Sequence, residues 1–114
     1  MLYEIRNYHY APKHWKEYKK WSIEKAAPFF RSKWDVVGVW LKNDIPAQYG
    51  GSLPRNEGIS PANITWITRW KDMEHRDKAW ADIAKTKEWE KLFSTVPGGN
   101  KSYLRTEAKF AEAI

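Results

Sequence analysis

Carboxylates and guanidinium groups stand beside rings near both ends of this chain. The run "LYEIRNYHY" sets Glu4, Arg6 and Tyr8 at steps of two, and "SYLRTEAKF" sets Tyr103, Arg105 and Glu107 at the same steps. In an extended chain such residues share one face. Inside a partly dry site, burial raises a carboxylate's pKa toward a useful range and a guanidinium holds a developing oxyanion. Glu4 and Arg6 are therefore the candidate catalytic pair, and Arg105 is a candidate ligand-binding cation. The same charges also read as cross-strand ion pairs, because the first and last strands are neighbours in the topology argued below.

Around these charges stand rings. Tyr8, Trp40 and Trp66 are candidate walls for a flat or apolar ligand, with Thr68 on the same set of alternating positions as Trp66. Their alternative role is packing against a partner sheet. Arg76, beside Asp72 and Asp77, either reaches a ligand or pairs with those acids. His9, His14 and His75 are the only histidines, and no two have ligand spacing, so neither a metal nor any other cofactor is expected. Lys13, Lys16, Lys19 and Lys20, with Trp15 and Trp21, read as a solvated helix face rather than a membrane or RNA surface. There is no phosphate loop and no nucleophile elbow.

Period and punctuation give the elements that must position these residues. Residues 2–10 alternate as a strand. From Pro12 a helix presents Trp15, Tyr18, Ser22, Ala26 and Phe29 on one stripe, and Pro28 is expected to kink or end it. Residues 35–41, "DVVGVWL", form the second strand. Residues 42–62 hold three Pro and three Gly without a period, which predicts a long loop. "NITWITRW" is the third strand. Asp72 caps a helix whose apolar side is Ala79, Trp80, Ile83 and Ala84. "KTK" interrupts that stripe, and Trp89, Leu92 and Phe93 resume it. "PGG" at 97–99 ends the helical region, and "SYLRTEAKF" is the fourth strand.

The order β-α-β-β-α-β within 1–114 suits one domain: an antiparallel four-stranded sheet with both helices on one face. The clean aliphatic set Ile5, Val37, Val39, Leu41, Ile67 and Leu104 is placed beneath the helices. The opposite face then carries Glu4, Arg6, Tyr8, Trp40, Trp66, Thr68, Trp70, Tyr103, Arg105 and Glu107. A face so rich in rings calls for a covering partner or ligand.

Composition narrows the classes. The chain has 114 residues, 8 Trp, 6 Tyr, no Cys and a net charge of +6. Without Cys there are no disulfides, thiolate nucleophiles or iron–sulfur clusters. No apolar run is long enough for a membrane span, and the strand pattern starts at the second residue, so a cytoplasmic protein without a membrane partner is expected. The basic residues are dispersed among 14 acids. A nucleic-acid partner is not expected either: an RNA-recognition module shares the element order, but its third strand needs glycines that "NITWITRW" lacks.

Several segments together resemble the NIPSNAP family. They are "LYEIRNYHYAPKHWKEY", the glycine-containing "VVGVW", "ITRWKDMEHRDKAW" with Arg76 early in its helix, and "EWEKLF" with Trp89. The stretch after Leu41 departs from the pattern, being longer and richer in Pro and Gly. The resemblance implies a ferredoxin-like α+β fold of the dimeric α+β barrel superfamily, in which two sheets pack face to face in a homodimer. It assigns no reaction. Its wider relatives suggest an apolar or aromatic small molecule between the sheets, with proton-transfer or cofactor-free oxygenase chemistry. The competing expectation is a non-catalytic assembly or regulatory protein whose aromatic face only makes the dimer.

Overall fold

The computed structural model describes residues 1–53 and 61–114. Four strands, β1 (Leu2–Tyr10), β2 (Val36–Leu41), β3 (Ile64–Trp70) and β4 (Tyr103–Glu112), form one sheet in the order β2-β3-β1-β4. Every pairing is antiparallel. Four helices, α1 (Trp15–Trp21), α2 (Ala27–Lys33), α3 (Met73–Ala84) and α4 (Lys87–Ser94), pack on the sheet. This is the expected α+β, ferredoxin-like arrangement.

The two sequence-defined faces exist, but they are exchanged on β1 and β3. The helices cover the ring-bearing set: Tyr8, Ile64, Trp66 and Trp70 are buried, the last two at 4% and 2% exposure. Ile5 and Ile67, expected beneath the helices, are register partners on the other face. Period two separates the sets but does not say which one meets the helices. The large indoles remove more apolar area from water, so they take the covered side. Leu104 is exposed as well.

On β2 an irregularity intervenes. The register slips between Val36 and Gly38, so Val39 and Leu41 lie opposite Trp66 and Ile64 on the helix side, as expected, while Gly38 and Trp40 take the open face. Val37 is the extra residue and is exposed. Gly38 leaves room for a ring: a Cβ there would sit 2.6 Å from Cη2 of Trp40, which would have to swing aside.

Pro28 does not end the first helix. A π turn, Ser22–Ala26, joins α1 to α2, and the Ala27 N–H reaches back five residues to the Ser22 carbonyl. The wider turn accommodates a proline in the opening turn of α2. Its extra residue advances the buried stripe by one position, so Phe30 is buried where Phe29 was expected. Asp72 caps α3 through its carboxylate, which accepts from the His75 N–H at 2.8 Å. Thr86, inside the expected "KTK" break, caps α4 by accepting from the Trp89 N–H. The break therefore starts a new helix.

Residues 42–53 and 61–63 form neither helix nor strand, as expected for the 42–62 loop; the remaining loop residues, 54–60, lie outside the described residues. The Asn63 side chain pins the loop's end to β1, accepting from Tyr10 N–H at 2.8 Å and donating to Tyr10 C=O at 3.0 Å.

Candidate functional site

The exchange of faces carries Glu4, Arg6, Tyr8, Trp66 and Thr68 under the helices. Glu4 has no exposed surface, yet it stays ionised because five donors converge on it. Arg76, from the first turn of α3, grips it with two bonds, Nη2 to Oε2 at 2.7 Å and Nε to Oε1 at 3.1 Å. Arg6 Nη1 adds 2.7 Å to Oε2, and the indole N–H groups of Trp70 and Trp80 donate to Oε1 at 3.0 and 3.2 Å. Burial alone would raise this carboxyl group's pKa. The hydrogen bonds from Arg76 and Arg6, the charge of Arg6 and the Trp80 indole hold it instead at about 2. A carboxylate so placed is not a proton acceptor at neutral pH, and it fixes two guanidinium groups in position.

Arg6 is the link from this cluster to open space. Its Nε donates to the Tyr8 hydroxyl at 2.6 Å, and its Cζ lies 4.7 Å from the centre of the Trp80 ring and 6.0 Å from that of Trp66. Two of its donors are thus committed to protein, leaving others for a ligand. Tyr8 accepts from Arg6, so its own O–H is free to donate. Burial raises its pKa, opposed by Arg6 and by the Trp66 indole, so the phenol keeps its proton.

Arg6 and Tyr8 form part of the floor of a cavity of about 300 Å³ between the sheet and the helices. Trp66 and Tyr103 continue that floor, while Trp21, Ser22 and Phe30 roof it and Trp80, Trp89 and Phe93 close its side. The walls are apolar and aromatic with few polar groups, as in small-molecule pockets. At one end the Tyr18 and Tyr103 hydroxyls pair at 3.0 Å, and Tyr10 stacks on Tyr18 with ring centres 3.7 Å apart. Burial pushes the pKa values of Tyr10, Tyr18 and Tyr103 upward, so this end is neutral.

The structure therefore gathers Arg6, Tyr8 and Trp66 at one cavity and excludes other candidates. Trp40 is on the open sheet face, 52% exposed, and cannot share a wall with Trp66. Thr68 is buried beside Glu4 in the register but does not line the cavity. Arg105 and Glu107 are half exposed and pair with each other at 3.1 Å. Their partners across β1 are His9 and Asn7, on the face away from Glu4. The register irregularity between β1 and β4, at His9 and Tyr10, separates them from Tyr103, which stays with the cavity. The expected clustering of Arg105 with Glu4 and Arg6 is thus corrected by one step of register. Sequence reasoning missed Ser22, Trp80 and Trp89 as cavity residues; their place on helical stripes marked them as core. Arg76 meets Asp77 at 3.1 Å, as anticipated, but its main partner is Glu4.

Among the described residues no three His, Asp or Glu side chains converge as a metal site requires, and no helix is long and apolar enough to cross a membrane.

An antiparallel β2-β3-β1-β4 sheet, helices on one face and an aromatic cavity beneath them define an α+β protein of ferredoxin-like type. Solved structures refine this. A NIPSNAP domain protein from Burkholderia xenovorans superposes with a TM-score of 0.73 at 15% identity, over 100% of this chain and 95% of that one. A NIPSNAP family protein from Agrobacterium tumefaciens gives 0.73 at 10% identity, over 99% and 92%. An antibiotic biosynthesis monooxygenase gives 0.58 at 15% identity, over 100% and 99%. This chain has the fold of NIPSNAP domain proteins, the family that its sequence motifs resemble. No family model and no curated protein matches the sequence itself.

Proposed function

We propose that this chain is a NIPSNAP-like protein that binds a small aromatic molecule bearing an anionic or strongly accepting oxygen. The observation that carries the reading is the meeting, in one cavity of about 300 Å³, of an aromatic wall with the Arg6 guanidinium and the Tyr8 hydroxyl. The aromatic body packs against Trp66, Trp80 and Trp89, and its oxygen accepts from Tyr8 and Arg6. Donors preorganised in a dry cavity are also suited to an enolate or phenolate formed by proton loss. In that reading Arg6 and Tyr8 hold an anion that arrives already deprotonated and Glu4 positions Arg6; among the described residues the cavity lining supplies no side-chain base, so binding is favoured over the proton-transfer or cofactor-free oxygenase chemistry that the resemblance suggests. The likeness to a monooxygenase is one of fold and adds only analogy.

We place the cavity within one protomer rather than between two sheets. The homodimer remains part of the proposal in a different role: a second copy covers the open sheet face, where Trp40, Val37, Ile5 and Ile67 stand.

Titration with a naphthoate, read by tryptophan fluorescence and by melting temperature, tests the reading. The naphthoate is expected to quench the cavity indoles and to raise the melting temperature. Tyr8→Phe is expected to weaken binding roughly tenfold, the loss of one buried hydrogen bond. Absence of any quenching or stabilisation by aromatic carboxylates and phenols would overturn it.

A further inference from the structure

Ser22 is a buried hydroxyl that the protein itself leaves without a use. It is 2% exposed, and its Oγ makes no hydrogen bond among the described residues. A helical serine commonly returns its hydroxyl to the carbonyl one turn back. Here the Ser22 backbone N–H bonds the Tyr18 and Lys19 carbonyls, as in any helix, but Oγ reaches neither. Native proteins seldom leave such a group unpaired, because it has been stripped of water without compensation. Its position gives it a use. Ser22 opens the π turn, a distortion often found at functional sites, and it lies in the cavity roof, across from the Arg6 and Tyr8 floor. It also lines a cleft of about 180 Å³ with Ile23, Ala27, Arg31, Val39 and Leu41, so it stands where the cavity meets the edge of the sheet at β2. Among the described residues the other buried hydroxyl without a partner, Thr68, lines neither space.

Resting on the cavity reading above, we infer that Ser22 is a specificity-determining contact and that the site takes aromatic molecules oxygenated at both ends. One oxygen, anionic, meets Arg6 and Tyr8. The second, a hydroxyl or carbonyl on the far ring, meets Ser22 Oγ, which exposes less than 1 Å² at rest and turns about χ1 to reach it. A site that holds a buried hydroxyl ready for a ligand rejects the analogue that leaves it unpaired.

The test compares a naphthoate with the same naphthoate carrying a hydroxyl on its far ring, both titrated by calorimetry against the full chain. The hydroxylated compound is expected to bind roughly threefold to tenfold more tightly, the range of one hydrogen bond. Ser22→Ala is expected to erase that preference, bringing the two affinities together. Ser22→Cys, which keeps the size, serves if the alanine variant does not fold, with the same loss of preference. Thr68→Ala is expected to keep the preference. If both naphthoates bind wild type equally, or if the preference survives at Ser22→Ala and Ser22→Cys, the inference falls and the cavity reading stands. If neither compound binds at all, both fall together.

Discussion

Glu4 is the residue on which the site's geometry turns. Its carboxyl pKa is drawn from an ordinary 4.5 to about 2, which makes its ionised form a contributor to stability at neutral pH. That contribution is present above the ordinary value and is lost as pH falls through the folded one. The acid limb of a urea-unfolding series should therefore decline between about pH 5 and pH 2. Glu4→Gln should flatten that limb and cost about 3 kcal/mol at pH 7, since it strips two partly buried guanidinium groups of their fully buried counter-charge. An unchanged urea midpoint at pH 7 would mean that solvent or Asp77 already satisfies Arg76. The spacing of Glu4, Arg6 and Tyr8 was legible in sequence, because steps of two on a strand bind residues to one face. The partner Arg76 was visible only as a helix arginine. Nothing in local spacing says which acid, 72 positions away, a side chain will meet, and the nearer Asp72 and Asp77 offered themselves first.

Elements were read more fully than their orientation. Strands, caps and turns followed from period and from Asp72, Thr86 and the Pro97–Gly99 stop. The side of the sheet that each set occupies did not, because alternation is symmetric and Ile5 and Ile67 look as fit for burial as Trp66 and Trp70. The slips at Val36–Gly38 and at His9–Tyr10 have no local signature beyond one glycine, and each moved a candidate, Trp40 or Arg105, off the site. The junction between α4 and β4 is tighter than a plain turn. Gly98 has φ +78°, and a Cβ there would lie 2.4 Å from both the His14 ring and Ser102 Oγ. The adjoining Ser102 carbonyl accepts from Ala11 N–H at 2.8 Å, holding the start of the helical layer against β4. Gly98→Ala should cost about 2–3 kcal/mol through backbone strain and contact, whereas Gly99→Ala, with open space around its Cβ, should cost only the strain. Thermal melts of the two variants check the difference.

For the molecule as a whole, the cavity and the face proposed for the dimer lie on opposite sides of one sheet, so the two proposals can be separated by mutation. Trp40→Glu should yield a monomer in sedimentation while keeping naphthoate affinity within about twofold, since no cavity wall comes from the open face. Loss of both properties together would instead support a chamber shared between two copies.

The strand order also has a consequence for how the chain is made. β1 precedes both of its neighbours in the chain but lies in the middle of the sheet, and β3 and β4 follow only at residues 64–70 and 103–112. A growing chain thus carries an unpaired, ring-rich β1, with Glu4 lacking Arg76, until residues 64–76 have been made, and one edge of β1 stays open until β4 follows. Its sheet closes through contacts of long sequence separation, which slows folding and leaves that strand's rings open to unwanted pairing in the interval.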